Sequence, residues 1–303
     1  MSSPESVAQR VALLGIVVSV ILATIKISIG LAARSVAVVS DGFESAADVL
    51  ASGLALFGLK LAGKPPDEDH PYGHGRFETL SGLAIGVLLV AVGTGICIRS
   101  LEQRNDTHVP ALFAIWPLLG SIAAKVVLGT AKFRYGRRTR SSGLIADAWN
   151  DMVDILSGIV ALIGVGLSIF VPQRMAAADH YSGSLIGFIV CFLGLRVIYE
   201  TVMHLTDTMP GASQMAEIRA VALRVEGARG VEKCFARKTG LRYHVDLHLE
   251  VDPDLSVRAS HEIAGAVKRT IKKDLDWVDN VLVHVEPYLQ PREDHRAPST
   301  IKR

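Results

Sequence analysis

The stretch Val36-Ala37-Val38-Val39-Ser40-Asp41-Gly42-Phe43-Glu44-Ser45-Ala46-Ala47-Asp48 places three carboxylates inside an apolar run that continues to Leu61. A helix crosses the hydrocarbon core of a bilayer with about 20 apolar residues, so the run is long enough to span one. A charge at the bilayer centre costs about 3 kcal/mol or more, and such residues face a cavity or a partner instead of lipid. Asp41, Glu44 and Asp48 are spaced i, i+3 and i+7, which puts them on one helix face. The stretch therefore predicts a membrane helix with an acidic stripe turned inward.

Comparable apolar runs lie on both sides of it. They predict six spans, at 11–32, 36–61, 79–101, 110–133, 143–171 and 182–205. The first run has little basic charge before it and no small-residue cleavage site after it, so it reads as a retained span and not as a signal peptide. The links are short: Arg34-Ser35, the proline-bearing loop Lys64–Arg76, Glu102–Val109 and Pro172–Tyr181. The segment Lys132-Phe133-Arg134-Tyr135-Gly136-Arg137-Arg138-Thr139-Arg140 is heavily basic. By the positive-inside rule it faces the cytoplasm. An inner-membrane protein with both termini cytoplasmic follows, with the loop after the second span on that same side.

Composition changes after Pro210-Gly211. Residues 212–226 read as a helix, 231–238 and 241–251 as strands around Thr239-Gly240, 256–275 as an amphipathic helix and 280–286 as a third strand. In the second strand Tyr243, Val245, Leu247, Leu249 and Val251 alternate with His244, Asp246, His248 and Glu250, the period of a half-buried strand. The order αββαβ predicts a small open α/β sandwich. The expected organisation is an N-terminal tail at 1–10, a six-span membrane domain at 11–208, a soluble domain at 209–288 and a disordered tail at 289–303.

Half of the residues are hydrophobic and the mean hydropathy is +0.34. A net charge of +2 argues against a nucleic-acid partner, which selects a strong basic face. The three cysteines, Cys97, Cys191 and Cys234, form no CxxC pair, which argues against a cysteine zinc site. His261-Glu262 is not followed by a second histidine at metalloprotease spacing, and no serine–histidine constellation stands out, so the chain does not read as an enzyme.

The fifth span repeats the acidic face with Asp147, Asn150, Asp151 and Asp154. Pairs four residues apart, Glu44 with Asp48 and Asn150 with Asp154, offer one ion four oxygen ligands. Oxygen suits hard cations such as Mn²⁺ and Mg²⁺. The competing reading pairs these acids with Lys26, Arg99 or Lys125. It accommodates Asp41 or Asp147 but has few bases for two acid-rich faces. The loop run Asp67-Glu68-Asp69-His70-Pro71-Tyr72-Gly73-His74 has the ligands of a nitrogen–oxygen metal site, though a solvated acidic loop would look the same. In the soluble domain His248, His284 and Glu286 fall on two strands with shared facing, beside His244 and His261; a common metal site and a set of surface histidines both fit.

The run Ser35–Asp48 resembles the second-span signature of the cation diffusion facilitators. The runs His70-Pro71-Tyr72-Gly73-His74-Gly75-Arg76-Phe77-Glu78 and Ala146-Asp147-Ala148-Trp149-Asn150-Asp151-Met152-Val153-Asp154 resemble two further motifs of that family, in the same order. The resemblance implies a homodimer of six-span protomers in a lipid membrane, exporting divalent metal against protons, with a cytoplasmic ferredoxin-like domain that dimerises around metal. It maps the transport site onto Glu44, Asp48, Asn150 and Asp154. It maps a loop site onto Asp67, His70 and His74, and a cytoplasmic-domain site onto His248, His261, His284 and Glu286. Glu232 stands where the family usually has a histidine. Arg76 and Asp207 fall where the family places charges that interlock two protomers. Zinc exporters of the family carry a histidine where Asn150 stands, which predicts Mn²⁺ or Fe²⁺ ahead of Zn²⁺. A zinc or cobalt exporter, or a membrane metal sensor or scaffold without transport, is the alternative.

Overall fold

The computed structural model describes residues 4–103, 108–139, 142–240 and 242–289, with side chains from Gly15 onward except at 136, 138–139, 142–144 and 146–147. Residues 1–3 of the expected N-terminal tail, the tail from Gln290 and the Asp147 carboxylate lie outside the described residues. The chain divides into two compact units, one built from residues up to Lys60 and from Leu80–Thr201, the other from Leu61–Thr79 and from Val202 onward.

The first unit is helical. Helices α1 (Pro4–Ala33), α2 (Val36–Ala62), α3 (Arg76–Glu102), α4 (Ile115–Thr139), α5 (Ser142–Phe170) and α7 (Ala178–Leu205) supply it, with the single turn α6 (Pro172–Met175) before the last. Six of these are long and apolar enough to cross a membrane. Leu56, Phe57, Trp116, Ile163 and Phe188 point outward, as hydrocarbon-facing side chains do. Inward packing uses small residues. A Cβ on Gly93 would lie 2.6 Å from the Cys191 nitrogen, and one on Gly194 2.8 Å from that of Val90, so glycines let α3 and α7 approach backbone to backbone. Ala33, Ala37, Val38, Leu118, Ala161 and Val165 form a core shared by α1, α2, α4 and α5.

Two local devices set the ends of these helices. Arg34 adopts φ 53° and closes α1, with Ser35 N–H donating to the Gly30 carbonyl at 3.0 Å. The buried Asp179 carboxylate accepts from the Ser35 hydroxyl (2.6 Å) and from the backbone N–H of Val36 (2.6 Å) and Ala37 (3.3 Å). It thereby satisfies the amides that begin α2, whose dipole favours an anion there. α2 thus starts in register with its acidic face turned inward.

In the second unit α8 (Ala212–Ala222) is followed by β1 (Gly230–Thr239), β2 (Arg242–Val251), α9 (Val257–Asp274) and β3 (Val278–Pro287). The sheet order is β1-β2-β3, with β1 antiparallel and β3 parallel to β2. This is the ferredoxin-like αββαβ architecture. The expected alternation holds in β2, where Val245, Leu247, Leu249 and Val251 are buried against Ile218, Val267 and Ile271. Ser256 caps α9 by accepting from the Ala259 N–H at 3.2 Å. The helix expected over 212–226 ends at Ala222, where the next amides take tighter turn bonds, Arg224 N–H to the Val221 carbonyl and Val225 N–H to the Ala222 carbonyl, each at 3.3 Å; the chain then turns through Gly227 at φ 88°, a left-handed conformation that favours glycine.

Candidate metal centre

The acidic faces of α2 and α5 meet. Glu44 is buried, and its Oε1 accepts from the Ser157 hydroxyl of α5 at 2.8 Å. The Asp48 carboxyl faces that of Asp154 at hydrogen-bonding range. Glu44 Oε2 and Asp48 Oδ2 are buried acceptors with no hydrogen-bond partner. Oxygens left so in a water-poor interior are costly unless a cation satisfies them. Three of the four residues expected at the transport site are therefore brought together. Asn150 is not: its side chain is exposed on α5, while Asp151 next to it is 1% exposed.

Ammonium groups, weighed in the sequence only as competing partners, enter this cluster deeply. Lys26 Nζ lies 2.7 Å from Asp41 Oδ2 and 3.1 Å from Ser45 Oγ. Lys125 contacts Asp154 and lies 3.1 Å from Asp151 Oδ1, and Lys132 Nζ is 2.6 Å from Asp151 Oδ2. Pairing with bases thus holds for Asp41, as that reading allowed, and extends to Asp151 and Asp154. Arg99 instead lines a separate cavity of about 560 Å³ with Arg34, His108 and His180. The sequence signal for Lys125 was a single basic residue inside Ser-Ile-Ala-Ala-Lys125-Val-Val-Leu; helical spacing alone did not say which carboxylate it would meet.

Two clusters outside the spans bring three ligand atoms within 4.8 Å of one another: Asp67 with His70 and His74, and His248 with His284 and Glu286. In the loop, Asp67 reaches His70 Nδ1 at 3.1 Å and His74 Nε2 at 3.3 Å, with the two rings 4.4 Å apart. His74 Nδ1 lies 3.2 Å from the Pro65 carbonyl, which only accepts, so that nitrogen carries the proton. Nε2 is then the ligand atom, held by an outer hydrogen bond of the kind that orients metal-bound histidines. Desolvation pushes the Asp67 carboxyl up, but the His70 N–H and ring and the His74 ring outweigh it and hold it below its ordinary value.

In the second cluster, the parallel register sets His248 directly beside His284. His248 Nδ1 is 2.6 Å from Glu286 Oε1, and His284 Nε2 is 3.5 Å from the same oxygen. The neighbouring Glu232 side chain and then the His248 ring, 2.6 Å away, hold the Glu286 carboxyl below the usual range. Glu232 sits at an irregularity of the β1–β2 register between Val231 and Cys234. His261, expected at this site, is exposed on α9 and is not a member of the cluster. Both donor sets, imidazole with carboxylate, fit a borderline divalent ion. Arg76 and Asp207 pair within a single chain, Nη to Oδ at 3.1 Å, with both side chains about half exposed. Asp207 adopts φ 58° two residues beyond the end of α7 at Leu205.

Residues 12–206 match the family model of the cation efflux transmembrane domain, and residues 210–288 match that of the cation efflux protein cytoplasmic domain. The manganese efflux system protein MneP of Bacillus subtilis is 31% identical over 294 residues, covering 95% of this chain and 99% of that protein. An uncharacterized transporter of Methanocaldococcus jannaschii is 34% identical, covering 90% and 96%. The manganese efflux system protein MneS of Bacillus subtilis is 29% identical, covering 92% and 95%.

Proposed function

This chain belongs to the cation efflux family, the cation diffusion facilitators, and from that premise we propose that it is a homodimeric exporter of divalent metal in exchange for protons. The observation that carries the proposal is the pair of unpartnered buried oxygens, Glu44 Oε2 and Asp48 Oδ2, beside Asp154. Inside a membrane domain such oxygens mark an ion or proton path, and oxygens in this number suit a cation that has shed its water. Two carboxyls at hydrogen-bonding range share a proton or a cation, which makes metal and proton mutually exclusive occupants.

The metal we assign first is Mn²⁺, with Fe²⁺ next and Zn²⁺ after them. Glu44, Asp48 and Asp154 offer oxygen only, and oxygen ligands in number suit Mn²⁺. The manganese efflux proteins among its relatives support the same order. We place residues 11–208 in the inner membrane and 209–288 in the cytoplasm, because the basic residues between α4 and α5 cluster on one side. The His248, His284 and Glu286 cluster and the Asp67, His70 and His74 cluster then serve as cytoplasmic sites for the same class of ion. They supply charge neutralisation that ties two strands, or the loop ends, together when metal is abundant. Flux of Mn²⁺, Fe²⁺, Co²⁺ and Zn²⁺ into proteoliposomes tests the assignment. Binding without flux would make the chain a membrane-held sensor instead.

A further inference from the structure

Lys125 sits on a carboxylate that the transport reading assigns to the ion. Its Nζ contacts Asp154, lies 3.1 Å from Asp151 Oδ1 and 3.3 Å from Ser19 Oγ, and the side chain is 3% exposed. An ammonium buried to that degree does not leave its partners without replacement, because an unpaired charge in a low-dielectric interior is strongly destabilising. Asp151 and Asp154 are three residues apart on α5, so they share a helix face. Asp151 is the more heavily neutralised of the two, since Lys132 also lies 2.6 Å from it. Lys125 is therefore bound to one carboxylate with a second ammonium of its own and to one without.

Resting on the transport reading, we propose that Lys125 is a tethered competitor for the transported metal. Its ammonium withdraws from Asp154 towards Asp151 when the ion binds and returns when the ion leaves. Two observations support this beyond the contact itself. First, although Asp48 and Asp154 face each other, Glu44, Asp48 and Asp154 are not among the groups of described residues whose ligand atoms all lie within 4.8 Å of one another, as the loop and sheet clusters are; the three ligands do not close on one point while Lys125 holds Asp154. Second, acids outnumber bases in this cluster: among the described residues the carboxylates of Asp41, Glu44, Asp48, Asp151 and Asp154 meet the ammoniums of Lys26, Lys125 and Lys132, a formal excess of two negative charges that one dication or two protons neutralise.

Lys26 does not share this role. It is held by Asp41 and Ser45, neither of them a proposed ligand of the ion. Lys125 bridges a proposed ligand, Asp154, and a carboxylate outside the ligand set, Asp151. The exchange keeps Asp154 neutralised throughout the cycle, so the ion leaves without stranding a bare carboxylate. Lys125 is in this sense a positioning residue that weakens affinity and speeds release.

The test is equilibrium binding and proteoliposome flux of Mn²⁺ and Zn²⁺ with the full-length dimer. Lys125→Met is expected to lower the metal Kd at least tenfold and to lower the maximal flux by a similar factor, because release slows. Lys125→Gln is read the same way if Lys125→Met is not monodisperse. Lys125→Arg places a guanidinium fork across the same two carboxylates and is expected to raise Kd at least fivefold. A residue serving structure alone gives the opposite pattern, with Met losing binding and Arg restoring it. Folded Lys125→Met or Lys125→Gln with an unchanged or raised Kd overturns the proposal, as does Lys125→Arg with an unchanged Kd. A wild type that neither binds nor carries either metal sinks the transport reading itself, and the role of Lys125 falls with it.

Discussion

Ser157 of α5 donates its hydroxyl hydrogen to Oε1 of Glu44 on α2 at 2.8 Å, with both side chains buried. The bond fixes the rotamer of Glu44 and leaves Oε2 as the open oxygen. Outer hydrogen bonds of this kind typically carry 10- to 100-fold in metal affinity. Ser157→Ala is accordingly expected to weaken Mn²⁺ binding about tenfold while leaving the melting temperature near that of the wild type. Titration of purified protein with Mn²⁺ reads this directly, and an unchanged Kd would remove Glu44 from the ligand set.

Asp48→Ala and Asp154→Ala are each expected to abolish metal flux, since each deletes an anionic ligand for a dehydrated ion. The two differ in stability. Asp154→Ala also strips Lys125 of a partner, and breaking a buried pair costs about 3 kcal/mol. Asp48 has no ammonium contact of this kind, so Asp48→Ala melts nearer the wild type. Thermal unfolding in detergent checks the order; equal melting temperatures would mean that Lys125 redistributes to Asp151 at no cost.

The Arg76–Asp207 pair is half exposed within one chain, where such a pair contributes less than about 1 kcal/mol. If it also serves the dimer, Arg76→Ala and Asp207→Ala lower flux far more than they lower stability. Arg76→Asp combined with Asp207→Arg then restores part of it. Normal flux in both single variants would confine the pair to a local role at the end of α7.

The sheet cluster should show a specific pH dependence. Glu286 is held below its ordinary value by Glu232 and His248. A depressed carboxyl contributes stability that is present above the unfolded value of about 4.3 and is lost as pH falls through the folded value. Glu286→Gln is expected to flatten that acid limb. Metal-induced stabilisation has a separate limb, because His248 and His284 bind only when neutral. It is expected to weaken as pH falls, because protons compete with the metal for the ring nitrogens. Melting curves with and without Mn²⁺ or Zn²⁺ across a pH series separate the two effects.

Much of this was legible in the sequence because it depends on local periodicity. The runs at 36–61 and 79–101 became α2 and α3 with ends shifted by three residues or fewer. β2 showed its buried face through simple alternation, and the histidines of the loop cluster lie within eight residues of Asp67. What the sequence hid is relational. Lys26 on α1, Lys125 and Lys132 on α4 meet acids on α2 and α5, and only helix packing says which base meets which acid. The same holds for Asp179, which caps a helix 143 residues earlier in the chain. His261 went astray because α9 turns it outward, a rotation that its spacing from His248 could not report.

The central claim is that metal and protons exchange through Glu44, Asp48 and Asp154. The most direct test is Mn²⁺ uptake into proteoliposomes with an acidified lumen, alongside Zn²⁺ and the Asp48→Ala variant. The account predicts Mn²⁺ accumulation that exceeds Zn²⁺, stops when the proton gradient is collapsed and is absent in the variant. Mn²⁺ uptake that is indifferent to the gradient, or that persists in Asp48→Ala, would contradict it.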